Sequence, residues 1–80
     1  MNKEELVEKL TELGVPENIY YLKGGLPPDR HTLEERQGTW AVYYAEKGNR
    51  NAEVVFATED EACRELLRRI ISDDAAMGRF

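Results

Sequence analysis

The sequence predicts a two-layer α+β domain, a three-stranded antiparallel meander carrying an N-terminal and a C-terminal helix on one face. Three observations predict it: apolar residues at three- and four-residue spacing near each end, side-chain alternation through the middle, and glycine-containing pairs between the alternating runs. Asn2, three residues ahead of Glu5, has the arrangement of a capping box. Leu6, Val7, Leu10 and Leu13 then recur on one helical face until Gly14 and Pro16 stop the pattern, which places a helix over 3–13. Its other face carries Glu4, Glu5, Glu8, Lys9 and Glu12 and reads as solvated, with Glu5 and Lys9 spaced as an i,i+4 pair.

Ile19 to Leu22 is a short apolar run suited to an extended segment, and residues 23–29 form a loop. Gly24 and Gly25 widen the backbone choices there while Pro27 and Pro28 narrow them, so the loop is expected to hold a defined shape. Neither the Walker spacing nor GxGxxG is present, which sets phosphate-loop chemistry aside. The sheet is expected over 30–57. Its strands are Arg30 to Arg36, Thr39 to Lys47 and Asn51 to Ala57, separated by Gln37-Gly38 and Gly48-Asn49. Alternation puts Trp40, Val42 and Tyr44 on one face with Leu33, Val54 and Phe56. Ala41, Tyr43 and Ala45 then fall on an outer face, with Val55, that stands open unless a partner covers it. Thr58 with Glu61 caps a second helix over 59–72, whose stripe of Ala62, Cys63, Leu66, Leu67, Ile70 and Ile71 should lie on the sheet in a core around Trp40, Leu66 and Ile70. Beyond Ser72 the pattern is lost, so residues 73–80 are expected to fray.

Eighty residues make one domain, 1–80, and the charged share of 34% against 41% hydrophobic describes a folded, well-solvated chain. Net charge is -5, with three basic against six acidic groups in 1–29, four against four in 30–57, and four against six in 58–80. That balance disfavours nucleic acid, and no apolar run or secretory leader points to a membrane, so the cytoplasm is the expected location. One cysteine and one histidine cannot build a four-ligand zinc site. Cys63 on a core-facing stripe reads as a structural thiol. His31 has Asp29 near it in sequence but no nucleophile arranged with it. Glu34, Glu35, Glu46 and Glu53 lie among Arg30, Arg36, Lys47 and Arg50, a composition that suits cross-strand ion pairs better than a catalytic carboxylate dyad. The expectation is therefore a protein without catalysis, cofactor, metal or small-molecule substrate. Tyr43 between two alanines is the expected anchor of a protein interface.

Three strings carry a resemblance: Gly24-Gly25-Leu26-Pro27, Trp40 through Gly48, and Phe56 through Cys63. Over roughly residues 19 to 71 the chain resembles small bacterial immunity proteins of polymorphic toxins, in particular those paired with NAD-degrading toxins of the tuberculosis-necrotizing-toxin type. It departs from the group's W-x-V-Y-Y-S-E-R-G string at Ala45 and Lys47. The resemblance implies a cytoplasmic inhibitor, an antitoxin that binds a cognate toxin domain and occludes its active site. Gly25 and Tyr43 are then expected at the contact, Asp29, Glu34 and Glu46 against basic toxin groups, Arg30 and Arg50 against acidic ones, and Lys47 at the strand end. The alternative is a non-enzymatic adaptor or regulatory module using the same outer face, for another protein or for a second copy of the chain.

Overall fold

The computed structural model describes residues 1–75, 77 and 78. The elements are α1 (Lys3–Glu12), a 3-10 turn (Glu17–Ile19), β1 (Tyr20–Tyr21), β2 (Arg30–Arg36), β3 (Thr39–Glu46), β4 (Asn49–Phe56), α2 (Glu59–Ile70) and a π-helical turn (Ile71–Ala75). The α+β class agrees with the sequence, while the sheet has four strands and is mixed, in the order β1-β2-β3-β4. The addition is β1, where Tyr20 and Tyr21 pair in parallel with His31 and Thr32. Two residues are too few for alternation to register, so the expected three-stranded meander lacked this edge.

Both hairpins close on two-residue turns with left-handed backbone at each position. Gln37-Gly38 (φ 41 and 94) joins Arg36 to Thr39, and Lys47-Gly48 (φ 51 and 77) joins Glu46 to Asn49. This is the mirror-image turn whose twist suits a hairpin. Lys47 therefore belongs to the second turn, and β4 starts two residues earlier than the sequence suggested. In β4 the register shifts between the pairs Val42↔Val54 and Tyr44↔Asn51, leaving Ala52 and Glu53 opposite Tyr43, with Ala52 at φ 54. That bulge has a consequence for the outer face: the extra residue brings Arg50 to the side that Glu53 and Tyr43 share, where strict alternation would have turned Arg50 inward.

The caps follow the sequence closely. Asn2 accepts from the Glu5 amide at 2.9 Å while Glu5 accepts from the Asn2 amide at 3.3 Å. At the other end of α1, Val15 N–H reaches Leu10 C=O and Gly14 N–H reaches Thr11 C=O, a Schellman closure with Gly14 at φ 76. Thr58 accepts from the Glu61 amide at 3.2 Å, and its hydroxyl donates to the Glu61 carboxylate.

Helix α2 lies across β2, β3 and β4, and α1 packs beside it. Leu6, Leu10, Leu33, Val42, Cys63, Leu66 and Ile70 form the core with no exposed surface. Trp40 is not at its centre. It is half-buried at the margin, with Lys3 Nζ 5.4 Å from its ring, and Val54 stays 43% exposed on the edge strand. The expected frayed tail is also corrected: Ile71–Ala75 continue the chain in an ordered turn, and Asp74 is 3% exposed because it meets His31 beneath the surface. Ala76, Arg79 and Phe80, included in that expectation, lie outside the described residues.

Candidate functional site

The outer sheet face is already covered, by the chain's own loop and long side chains. Ala41, Tyr43 and Ala45 have no exposed surface and form a second buried cluster. Tyr43 is thus a packed residue, which corrects its expected role as an exposed anchor. The 23–29 loop folds against β2, where Gly24 N–H donates to the Leu33 carbonyl at 3.0 Å and Gly25 N–H to Glu34 Oε1 at 2.9 Å. The Tyr43 hydroxyl lies 2.5 Å from the Gly25 carbonyl and 2.9 Å from Glu34 Oε1, donating its one proton between them. Gly24 is needed at this approach. A Cβ there would sit 2.7 Å from Glu34 Cγ, on a backbone held at φ 71.

Glu34 is the hub. It also accepts from Arg36 Nε, whose Nη2 reaches Glu53 Oε1 at 2.5 Å, and Arg50 Nη2 stands 3.6 Å from Glu34 Oε1. Arg50 lies over the Tyr43 ring at 5.3 Å, closing the cover from the β4 side. The Gly25 amide, with the Arg36 and Tyr43 donors behind it, holds the Glu34 carboxyl down at about 2. Burial, then the neighbouring Glu34 carboxylate, raises the Tyr43 phenol above its ordinary value. At neutral pH the hub is therefore a carboxylate surrounded by donors, and the tyrosine is protonated. The expected cross-strand ion pairs are present in this form.

Of the residues singled out from the sequence, Gly25, Glu34, Tyr43 and Arg50 come together in this network. Arg30 lies on the same face, opposite Ala45, with its guanidinium 5.8 Å from the Tyr21 ring. Asp29 is elsewhere: exposed, at φ 51, it lines a cleft of about 410 Å³ with Pro16, Asn18, Tyr44 and Asp74. Glu46 ends β3 and Lys47 sits exposed in the turn after it, both outside the network. Arg36 and Glu53, read from the sequence only as ion-pair candidates, also belong to the network. Arg36 has a same-face spacing from Glu34 and Glu53 from Val55, whereas Arg50 reaches this face through the bulge. Leu26, next to Gly25, and Val55, opposite Ala41, are 46% and 51% exposed and give the charged patch apolar flanks.

A second place also carries polar groups. His31 Nε2 meets Asp74 Oδ2 at 2.8 Å, not Asp29, and both side chains are 4% exposed. They line a cleft of about 500 Å³ with Tyr44, Arg68, Arg69 and Met77. The His31 ring packs edge-on against Tyr44 at 5.0 Å, and its Nδ1 has no hydrogen-bond partner. That nitrogen is itself buried, so it presents no lone pair or proton to a molecule in the cleft. The two arginines are engaged by Glu65, which accepts from Arg68 Nε and Nη2 at 2.8 Å and from Arg69 Nε at 2.7 Å. Cys63 is buried, with its thiol pushed up to about 11 by desolvation, and behaves as packing. Among the described residues no cluster of three or more His, Cys, Asp and Glu could hold a metal, and no helix is long and apolar enough to cross a membrane. No protein-family model, curated protein or solved structure matches this chain.

Proposed function

We propose that this chain is an immunity protein: it binds one cognate bacterial toxin in the cytoplasm of the producing cell and neutralises it by occluding its active site, without catalysis of its own. The observation that carries the reading is the outer sheet face. Three separate segments, the Gly24-Gly25 loop, β2–β3 and the bulged β4, are tied into one platform by a hub carboxylate, so little remains to be ordered when a partner docks. Charged groups held at fixed positions beside exposed Leu26 and Val55 are the composition of a specific protein interface. Tyr43 contributes from beneath, by holding the loop in place. The sequence resemblance supplies the toxin class, an NAD glycohydrolase, and its strings include Gly25, Glu46 and Lys47 of the proposed contact and the Tyr43 beneath it.

The test is co-expression with the toxin domain encoded beside this chain, followed by co-purification and an assay of cellular NAD. A stoichiometric complex with NAD preserved, against depletion when this chain is omitted, is the expected result. Growth arrest relieved by this chain with NAD unchanged throughout would retain immunity and remove the NADase pairing. Absence of any complex or protection would remove immunity itself.

A further inference from the structure

The three arginines of the outer face are held in two different ways. Arg36 is consumed, its Nε and Nη2 spent on Glu34 and Glu53. Arg50 approaches the same carboxylates only at 3.6 and 4.0 Å, and Arg30 makes no ion pair among the described residues. Both are instead laid over tyrosine rings, Arg50 on Tyr43 and Arg30 on Tyr21. Cation–π attraction holds each guanidinium over its ring, Arg50 keeping only the longer approaches to Glu34 and Glu53 and Arg30 no carboxylate at all among the described residues. The register aligns the two: Arg30 pairs with Ala45 and Ala45 with Arg50, so they flank one small buried residue in a single row across the face. Their backbones stand about 10 Å apart, two strand spacings. Arg30, Arg36 and Arg50 against Glu34 and Glu53 leave one positive charge on this face of a chain of net charge -5.

We infer that Arg30 and Arg50 form a carboxylate clamp for an acidic extended segment of the bound protein. Carboxylates on alternate residues of such a segment lie about 7 Å apart on one side, within reach of two arginine forks rooted at this separation. The inference rests on the protein-binding reading above and names the chemistry of its partner.

Two measurements on the full chain separate it from that reading. In the first, backbone and arginine Nε resonances are followed by NMR during titration with a capped peptide of alternating aspartate and glycine. A lysine-glycine peptide, sodium phosphate and increasing concentration of the protein itself are run in parallel. Shifts confined to Arg30, Arg50 and their tyrosines with the acidic peptide alone, weakening as salt rises, are expected. Shifts elsewhere, equal shifts with phosphate, or self-association through this face would overturn the clamp. In the second, the neighbouring toxin domain is bound to Arg30→Gln, which leaves the Glu34 hub untouched, and to Arg50→Lys, which keeps the charge and loses the fork. A loss of about tenfold for each is expected, with thermal unfolding unchanged in Arg30→Gln. Wild-type affinity in both variants would discard the clamp and leave the immunity reading standing. A toxin that never binds the unaltered chain removes the immunity reading, and the peptide titration still decides the clamp.

Discussion

Strand β3 presents two faces, and the one without a helix over it is the more completely buried. Toward α2 it turns Trp40 and Tyr44, both half-buried, with Val42 fully covered; away from α2 it turns Ala41, Tyr43 and Ala45, none with exposed surface. The inner face is closed by apolar packing and the outer by an ion-paired lattice lying over small residues. Burial therefore depends on what the flanking strands carry as much as on a second layer. The small alanines let Glu34, Arg36, Arg50 and Glu53 lie down, and a single aromatic among them becomes a post for the loop.

Breaking each face should cost differently. Leu66→Ala, on the inner side, is expected to lose about 2–5 kcal/mol in urea unfolding, as a truncation under a helix. Tyr43→Ala should lose about as much, roughly 3–5 kcal/mol. Tyr43→Phe, which keeps the ring and removes the proton shared by Gly25 and Glu34, should lose about 1–2 kcal/mol. Unchanged stability in Tyr43→Ala would show that the outer face is not a second core. The loop offers a finer comparison: Gly24→Ala meets Glu34 and should cost about 1–3 kcal/mol, whereas Gly25→Ala, with open space at Cβ, should cost about 1 kcal/mol for its φ of 81 alone.

Acid should separate the faces as well. The Glu34 carboxyl is held at about 2 in the folded chain, below its ordinary 4.5, so its contribution is complete above pH 4.5 and fades as pH falls toward 2. With solvent screening that is on the order of 1–2 kcal/mol. Unfolding measured from pH 6 to 2 in the parent and in Glu34→Gln should differ at pH 6 and converge at pH 2. Parallel curves would deny Glu34 its place as hub. The smallest effect is expected for Arg68→Ala, whose pairing with Glu65 is exposed, so that the urea midpoint should scarcely move.

What the sequence determined by itself is everything written within a few residues. Asn2 with Glu5, Gly14 before Pro16, Thr58 with Glu61 and the Gln37-Gly38 turn each satisfy backbone groups from neighbouring positions. Periodicity then shows which stripe of α2 is apolar. Part of the network was legible in this way: Gly25, Glu34, Tyr43 and Arg50 were picked out by composition, spacing and the resemblance. What only the tertiary structure decided are the pairings across long separations. Gly25 to Tyr43 spans 18 residues and His31 to Asp74 spans 43, and the parallel docking of β1 is equally non-local. The bulge at Ala52 and Glu53, which sets the side to which Arg50 turns, belongs with them, because a one-residue slip leaves composition and local propensity unchanged while reversing every side chain beyond it. Tyr43 was read as an anchor waiting for a partner because alternation reports which face a residue takes. Whether that face is covered depends on where a loop 18 residues away comes to lie.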